Sequence, residues 1–318
     1  MMAYVRVLGL SLTVAAAAQV WGQAVNDNWL DSSHSAVQDT LQHTADGINS
    51  WFGPTEDGDA RVKLRVMLDN RWNEYDGYSL RPRVRGSVRL PALENRLSVE
   101  FGDERLEYEQ RNPNDIMAES RHLRDARRFN FNETRRDNSS LGLNWSAPSK
   151  DKGFDADLGV GIRSGGDIYA RAKMNKTWYH RNDWQTFGEV FYRYGLKSKH
   201  YVRGNWDFSH VPASGIILSN QLHIDYRHSD DEEGWGWGNS LSRKHMTGKN
   251  TWFNYGVYAG GSFEDNHAKL NTYGPFAGLR MNVYRNWFFV QPEITYYNDK
   301  KQDRDHHLGA MLRLEAQF

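Results

Sequence analysis

The chain has 318 residues, with 40 basic and 40 acidic side chains and no cysteine, and its mean hydropathy is −0.79. A helical membrane protein needs runs of about 18 or more apolar residues, a disulfide scaffold or thiolate metal site needs cysteine, and a basic nucleic-acid binder needs a pI well above the 7.2 of this chain. Aromatics make up 13 % of the residues, including 12 Trp and 16 Tyr, which argues against disorder throughout.

Residues 1–24 carry one charge, Arg6, ahead of an apolar run from Val7 to Val20, and end with the small residues Gly22 and Ala24. That order is the pattern of a cleaved secretory signal. A transmembrane anchor is the competing reading, and it fits the length and the small-residue exit less well. Export together with zero cysteine fits a bacterial envelope protein.

Residues 25–60 hold seven acids (Asp27, Asp31, Asp39, Asp46, Glu56, Asp57 and Asp59) and no Lys or Arg. Ser32 or Ser33 is placed to cap a helix that favours Asp31 in its first turn. Val37, Leu41, Ala45 or Ile48, and Phe52 then recur on one face, with Trp51 beside them, and Gly53-Pro54 is the expected stop. Gly47 within it costs about 1 kcal/mol relative to alanine, so the helix needs a surface to dock on.

From Arg61 onward the chain alternates. Val62, Leu64, Val66 and Leu68 share one side of a strand whose other side carries Arg61, Lys63 and Arg65. The next segment sets Leu80, Pro82, Val84, Val88 and Leu90 against Arg81, Arg83, Arg85 and Arg89. Counting such segments predicts fourteen strands, at approximately 60–72, 77–90, 95–108, 137–147, 153–163, 167–178, 184–195, 199–209, 215–228, 237–246, 251–263, 272–284, 287–299 and 306–318. The tenth is weak, because neither of its faces is apolar. It is kept because single-chain bacterial barrels have even strand numbers, with twelve as the alternative.

A soluble sandwich also alternates, so three further features favour a transmembrane barrel. Segments of about ten residues match a tilted strand crossing a bilayer. Tight connections (Pro91–Glu94, Arg285-Asn286) contrast with long polar ones (109–136, 228–236), as in barrels with short periplasmic turns and longer outer loops. If the first strand runs outward, Trp145, Trp178, Trp184, Trp206, Trp252 and Trp287 all fall at periplasmic strand ends, where a membrane interface enriches tryptophan.

The last segment carries Leu308, Ala310, Leu312, Leu314, Ala316 and Phe318 at every second position. In this the chain resembles the Gram-negative outer-membrane β-barrel proteins over about residues 61–318. The resemblance implies a single antiparallel all-β barrel. It also implies that the strand bearing Leu312, Leu314 and Phe318 is the signal read by the barrel-assembly machinery. Outer-membrane lipid and lipopolysaccharide would be its surroundings, and no cofactor or nucleic-acid partner is implied.

In this register the inner face carries a basic arc of Arg61, Lys63, Arg65, Arg81, Arg83, Arg85 and Arg89. Lumen acids include Glu100, Asp155, Asp157, Asp225 and Glu293. Like charges on adjacent strands are unfavourable, so the arc needs counter-charge. The acidic helix, through Val37, Leu41, Ile48, Trp51 and Phe52, is expected to cover or plug the periplasmic mouth and supply some of it. A membrane-surface helix and a loose leader are the alternatives. The polar face as a whole reads either as a channel with acid on one arc and base on another, or as a wall of ion pairs with no continuous pore.

A catalytic reading is weaker. Ser219, His223 and Asp225 share one strand face, but four strand residues separate Ser219 from His223 by roughly 13 Å, so the partner would have to come from another strand. His228-Ser229-Asp230-Asp231 departs from the His-x-Ser-Asn-Gly run of the outer-membrane phospholipases. Asp230–Glu233 and His306-His307 hint only faintly at a metal, and Gly234–Gly238 reads as a rim turn rather than a phosphate loop. The sequence therefore favours a channel or binding barrel for small polar solutes, weakly preferring anions. A closed structural or interaction barrel comes second and a barrel-embedded hydrolase third.

Overall fold

In the computed structural model the described residues are 28–50, 61–90, 96–103, 138–147, 154–228, 233–248, 250–265 and 267–318. The expected signal segment, Trp51, Phe52, Gly53-Pro54, the Pro91–Glu94 turn, the whole 109–136 connection and Asp230–Glu232 lie outside them, as does the side chain of Ile48. Among the described residues one helix, α1 (Asn28–Ser50), precedes fourteen strands. It begins ahead of Ser32 and Ser33, which therefore lie within its first turns rather than capping it.

The strands are β1 (Arg61–Asn73), β2 (Gly77–Leu90), β3 (Leu97–Gly102), β4 (Ser140–Ala147), β5 (Phe154–Arg163), β6 (Asp167–Tyr179) and β7 (Trp184–Gly195). They continue as β8 (Lys199–His210), β9 (Ile216–His228), β10 (Glu233–Gly248), β11 (Thr251–Glu264), β12 (His267–Tyr284), β13 (Phe288–Asp299) and β14 (Arg304–Gln317). All are antiparallel to their neighbours in sequence, and β1 pairs with β14 to close a barrel. Closure leaves no sheet edge to aggregate. At the seam Phe318 N donates to the Leu64 carbonyl at 2.8 Å and Leu64 N donates back at 3.0 Å. Both ends of the barrel sequence thus meet at one mouth, called here the terminal end.

The fourteen-strand count stands and twelve is excluded. The weak segment is β10, whose 16 residues pair with β9 on one side and β11 on the other. In a closed wall the two hydrogen-bonded ladders decide that a strand exists, even where its faces carry little apolar signal. Gly234–Gly238 belongs to this strand and is not a rim turn. There Trp235 and Trp237 point outward, and the inward glycines make room: a Cβ on Gly238 would lie 2.4 Å from the His223 ring. Among the described residues β3 ends at Gly102. At Gly102 (φ +94°) the chain leaves the sheet, and a Cβ would strike the Val84 carbonyl at 2.1 Å. Beyond that point the Asn138 side chain takes over the edge of β2, accepting from Val84 N at 2.7 Å and donating to the Pro82 carbonyl at 2.9 Å.

Which face is inside follows from contacts between strands that are not neighbours. Arg171 on β6 reaches Glu100 on β3 at 2.8 Å, and Arg280 on β12 reaches Glu315 on β14 at 2.7 Å. Such chords cross only the concave side, so the charged face is the interior. The apolar face is outside, where Leu141, Leu158, Val160, Ile168 and Ile294 are each about half exposed or more.

Candidate functional site

The barrel's outer surface orients it. At the terminal end, outward Trp145, Trp178, Trp184 and Trp206, with Trp287 in the β12–β13 turn, form an aromatic rim that includes stacked pairs Trp178–Trp206 and Trp184–Phe208. Trp252 departs from the expectation. It lies at this end but on the inward register, opposite Arg280, with the Lys244 ammonium 5.2 Å from its ring. At the far end the outward rim is tyrosine and histidine: Tyr192, His200, Tyr226 and His228, and across the barrel Tyr273, Tyr296 and His306.

The interior is built from the inward positions of β1 and β2. Two-residue alternation brings Arg61, Lys63, Arg65, Met67, Asp69 and Arg71 to one side of β1, and register places Arg89, Ser87, Arg85, Arg83, Arg81 and Ser79 directly opposite. Arg65 faces Arg85 and Arg61 faces Arg89, pairs that repel unless carboxylates intervene. For Arg65 and Arg85 they do. Arg65 Nε donates to Glu315 at 2.8 Å, Arg280 donates to the other Glu315 oxygen, and Arg85 bonds Glu100, which Arg171 also holds.

Deeper along the same strands Asp69 anchors the arc. Arg313 grips it through two nitrogens at 2.6 and 2.8 Å, Arg83 lies 3.5 Å away and Arg71 3.6 Å away. Arg83 also donates from Nε to Asp103 at 2.7 Å, and Arg81 stands 4.0 Å from the same carboxylate. The side chains of Arg83 and Asp69 are wholly buried. Bidentate guanidinium–carboxylate geometry is the strong form of this interaction. Among the described residues, eight arginines (65, 71, 81, 83, 85, 171, 280 and 313) thus share four carboxylates (Asp69, Glu100, Asp103 and Glu315). Arg61, Lys63 and Arg89, next to the terminal mouth, are exposed.

The expectation of base on one arc and acid on another is replaced by acids threaded among the bases. Of the expected lumen acids, Glu100 joins the network. Asp157 pairs with Lys173 at 3.3 Å and accepts from Ser146, and Asp225 lies 3.6 Å from Arg227. Glu293 is buried on β13 and Asp155 is exposed on β5. These residues do not converge. Sequence reasoning missed two of the central acids, Asp69 and Asp103. Asp69 was legible, since it continues the inward register of β1. Asp103 follows the glycine that breaks the alternation and carries no such signal.

The opposite arc, β7 to β11, mixes charged side chains (Glu189, Arg193, Arg203, Asp207, Asp225, Arg227 and Lys244) with amides, hydroxyls and glycines. Asn205 donates to Glu189 at 2.9 Å, and Ser219 Oγ and Gln221 Nε2 both donate to Asp207, at 2.8 and 3.2 Å. Ser219 therefore engages a carboxylate on the next strand rather than an imidazole. Toward the far mouth the ring of Tyr201 lies between Arg193 and Arg227, whose guanidinium carbons are 5.3 and 5.6 Å from its centroid.

The helix does not plug this interior. Ala45, fully buried, packs against Val88 and Leu90, with Val62, Leu97 and Val99 around them. Those residues occupy the apolar, outward register of β1, β2 and β3. Near its other end His34 stacks between Trp287 and Phe318, at 4.5 and 4.6 Å, and its Nε2 lies 2.9 Å from the Gln317 carbonyl. α1 therefore straps the outside of the terminal rim. The reason is that an apolar helix stripe is buried by the apolar outer wall, whereas the inward faces of β1 and β2 are mostly charged. Leu41 is half-buried, while Val37 remains exposed.

No family model matches the chain and no curated protein matches it in sequence. Solved structures similar to it include a loop-L8 deletion mutant of OmpT, an outer membrane protein of Vibrio cholerae (8 % identity, 83 % of this chain and 100 % of that one, TM-score 0.47). Others are OprB of Pseudomonas putida (9 % identity, 81 % and 94 %, TM-score 0.44) and the KdgM porin in complex with disordered oligogalacturonate (6 % identity, 80 % and 99 %, TM-score 0.37). Closed, antiparallel and fourteen-stranded, apolar without and charged within, the chain has the architecture of a porin-like outer-membrane β-barrel.

Proposed function

We propose that this barrel resides in the outer membrane of a Gram-negative bacterium and passes or binds small polar solutes, with a preference for anions. The observation that supports this reading is the exposed cluster of Arg61, Lys63 and Arg89 at the terminal mouth, where the inward faces of β1 and β2 end. A low-dielectric wall bearing one sign of charge raises the local concentration of the opposite ion.

Reconstitution in a planar bilayer under a potassium chloride gradient tests the reading. Ion-selective steps are expected, with a reversal potential on the chloride side. Replacing Arg61, Lys63 and Arg89 together with serine moves that potential toward the non-selective value. The mouth effect is expected to be stronger at 0.1 M salt, where the screening length is about 10 Å, than at 1 M, where it is about 3 Å. Cation selectivity would overturn the proposal. Absence of steps would favour a closed structural barrel, a reading supported by the wholly buried Arg83 and Asp69 side chains. Lipase and peptidase assays on detergent-purified protein test the hydrolase reading.

A further inference from the structure

We infer that α1 is an in-plane membrane helix, seated on the outside of the barrel at the terminal-end interface, with the lipid bilayer itself as the partner of its free flank. The inference rests on the membrane placement proposed above and is independent of what the interior carries.

Depth is set by what the helix touches. His34 lies between Trp287, a member of the interfacial aromatic rim, and Phe318, the outward residue at the seam. Tryptophan rings concentrate at the level of the lipid headgroups, so His34 lies at that level. Ala45, eleven residues on, packs at the same end of β2, against Leu90 at the strand's last position. Two contacts at one height and on different strands lay the axis along the rim rather than along the strands. At 1.5 Å per residue they are about 16 Å apart, the width of three to four strands.

Rotation is set by Asp31, which accepts from Arg285 at 2.9 Å. Arg285 occupies the β12–β13 turn, so that side of the helix faces the aqueous phase. At 100° per residue, Asp31 and Asp46 fall about 60° and 120° to one side of His34. Val37 falls about 60° to the other side, and Thr40 about 120°. The second flank carries no charge from Ser33 to Leu41 apart from Asp39, which falls with the acids. Val37 there is 39 % exposed, and the Thr40 hydroxyl spends its proton on the Ala36 carbonyl at 2.7 Å, a bond that lets a hydroxyl face an apolar medium. An uncharged flank turned toward the continuous apolar wall and an acidic flank turned to water form the amphipathic division of an interfacial helix. With no Lys or Arg in α1, the attachment comes from apolar burial and not from attraction to anionic lipid.

The absence of cysteine permits a direct test in the full chain. Single variants Val37→Cys, Asp39→Cys and Leu143→Cys are labelled with an environment-sensitive fluorophore and placed in phosphatidylcholine vesicles. Phospholipid brominated high in the acyl chains quenches from the lipid side, and iodide quenches from water. The expected result is a blue-shifted Val37 probe quenched by bromine and shielded from iodide, with the Asp39 probe behaving oppositely. Adding Ala45→Glu, which forces a carboxylate into the buried contact, should release the Val37 probe to iodide while the barrel keeps its heat-dependent gel mobility. If the Val37 probe is as open to iodide as the Asp39 probe, or is shielded from both quenchers as inside a lumen, the inference fails. Leu143, on the outer wall, is the control: a probe there that bromine leaves unquenched would instead overturn the membrane placement of the barrel.

Discussion

Two arcs of the interior use one backbone rule to different ends. From β12 through the seam to β3, inward positions carry arginine and carboxylate in a fixed, largely buried lattice centred on Asp69, Glu315, Glu100 and Asp103. From β7 to β11 charges such as Glu189, Arg203 and Asp207 are interleaved with amides, hydroxyls and glycines, and single hydrogen bonds replace the shared carboxylates. The alternation that places both sets is identical. The lattice arc, however, contains the β1–β14 seam, where the two ends of the barrel sequence must find each other, and its side-chain pairs join the first strand to the last. Polar content thus makes a wall, while the distribution of charge decides which part of that wall is rigid.

The largest test of the contrast is Asp69→Asn. It leaves Arg313, Arg83 and Arg71 around a neutral group in a site with no exposed surface, and breaking a buried pair in this way costs roughly 3–5 kcal/mol. Thermal unfolding of the detergent-folded barrel, followed by gel mobility, should fall clearly below that of the parent. An unchanged midpoint would mean that solvent reaches the lattice and that the arcs do not differ. On the β7–β11 arc Ser219→Ala removes one hydrogen bond to Asp207, and a loss of about 1 kcal/mol is expected. A larger loss there would erase the distinction.

The smallest effect sharpens it most. Asp76, in the β1–β2 turn, is gripped by Arg304 at 2.7 and 2.8 Å, nearly the same fork that Arg313 presents to Asp69 on the same two strands. It differs in being a third exposed. The hydrogen bond from Arg304 holds the Asp76 carboxyl below its ordinary value of 3.8. A depressed folded-state value stabilises fully above the unfolded-chain value, about pH 4, and is lost as pH falls through the folded one. Solvent screening limits the pair to roughly 0.2–1 kcal/mol. The difference in melting temperature between parent and Asp76→Asn should therefore be small at pH 7 and shrink as pH falls below about 4. A difference that persists in acid would assign it to the turn, where Asn73 already accepts from the backbone of Tyr75 and Asp76.

The interior site was legible as far as periodicity extends. Once Val62 and Leu64 are assigned to one face, Arg61 and Lys63 must take the other, and Asp69 follows by simple counting. Trp252 was misjudged because its height along the strand was read without its parity, and parity alone separates a rim aromatic from a lumen one. The helix was misjudged because charge complementarity between an acidic segment and a basic lumen looked sufficient, whereas the burial of Ala45 on Val88 and Leu90 shows that apolar surface took precedence.

Period-two alternation and the apolar final strand determined by themselves that the chain is an antiparallel barrel of twelve or fourteen strands with charge turned inward, because those are local consequences of where successive side chains point. Only the tertiary structure decided which arginines share which carboxylate, that β10 is a full strand, and that α1 lies outside the wall. Those outcomes depend on contacts between segments up to 283 residues apart, as in the His34–Gln317 contact, and on competition among surfaces that exist only once the barrel has closed.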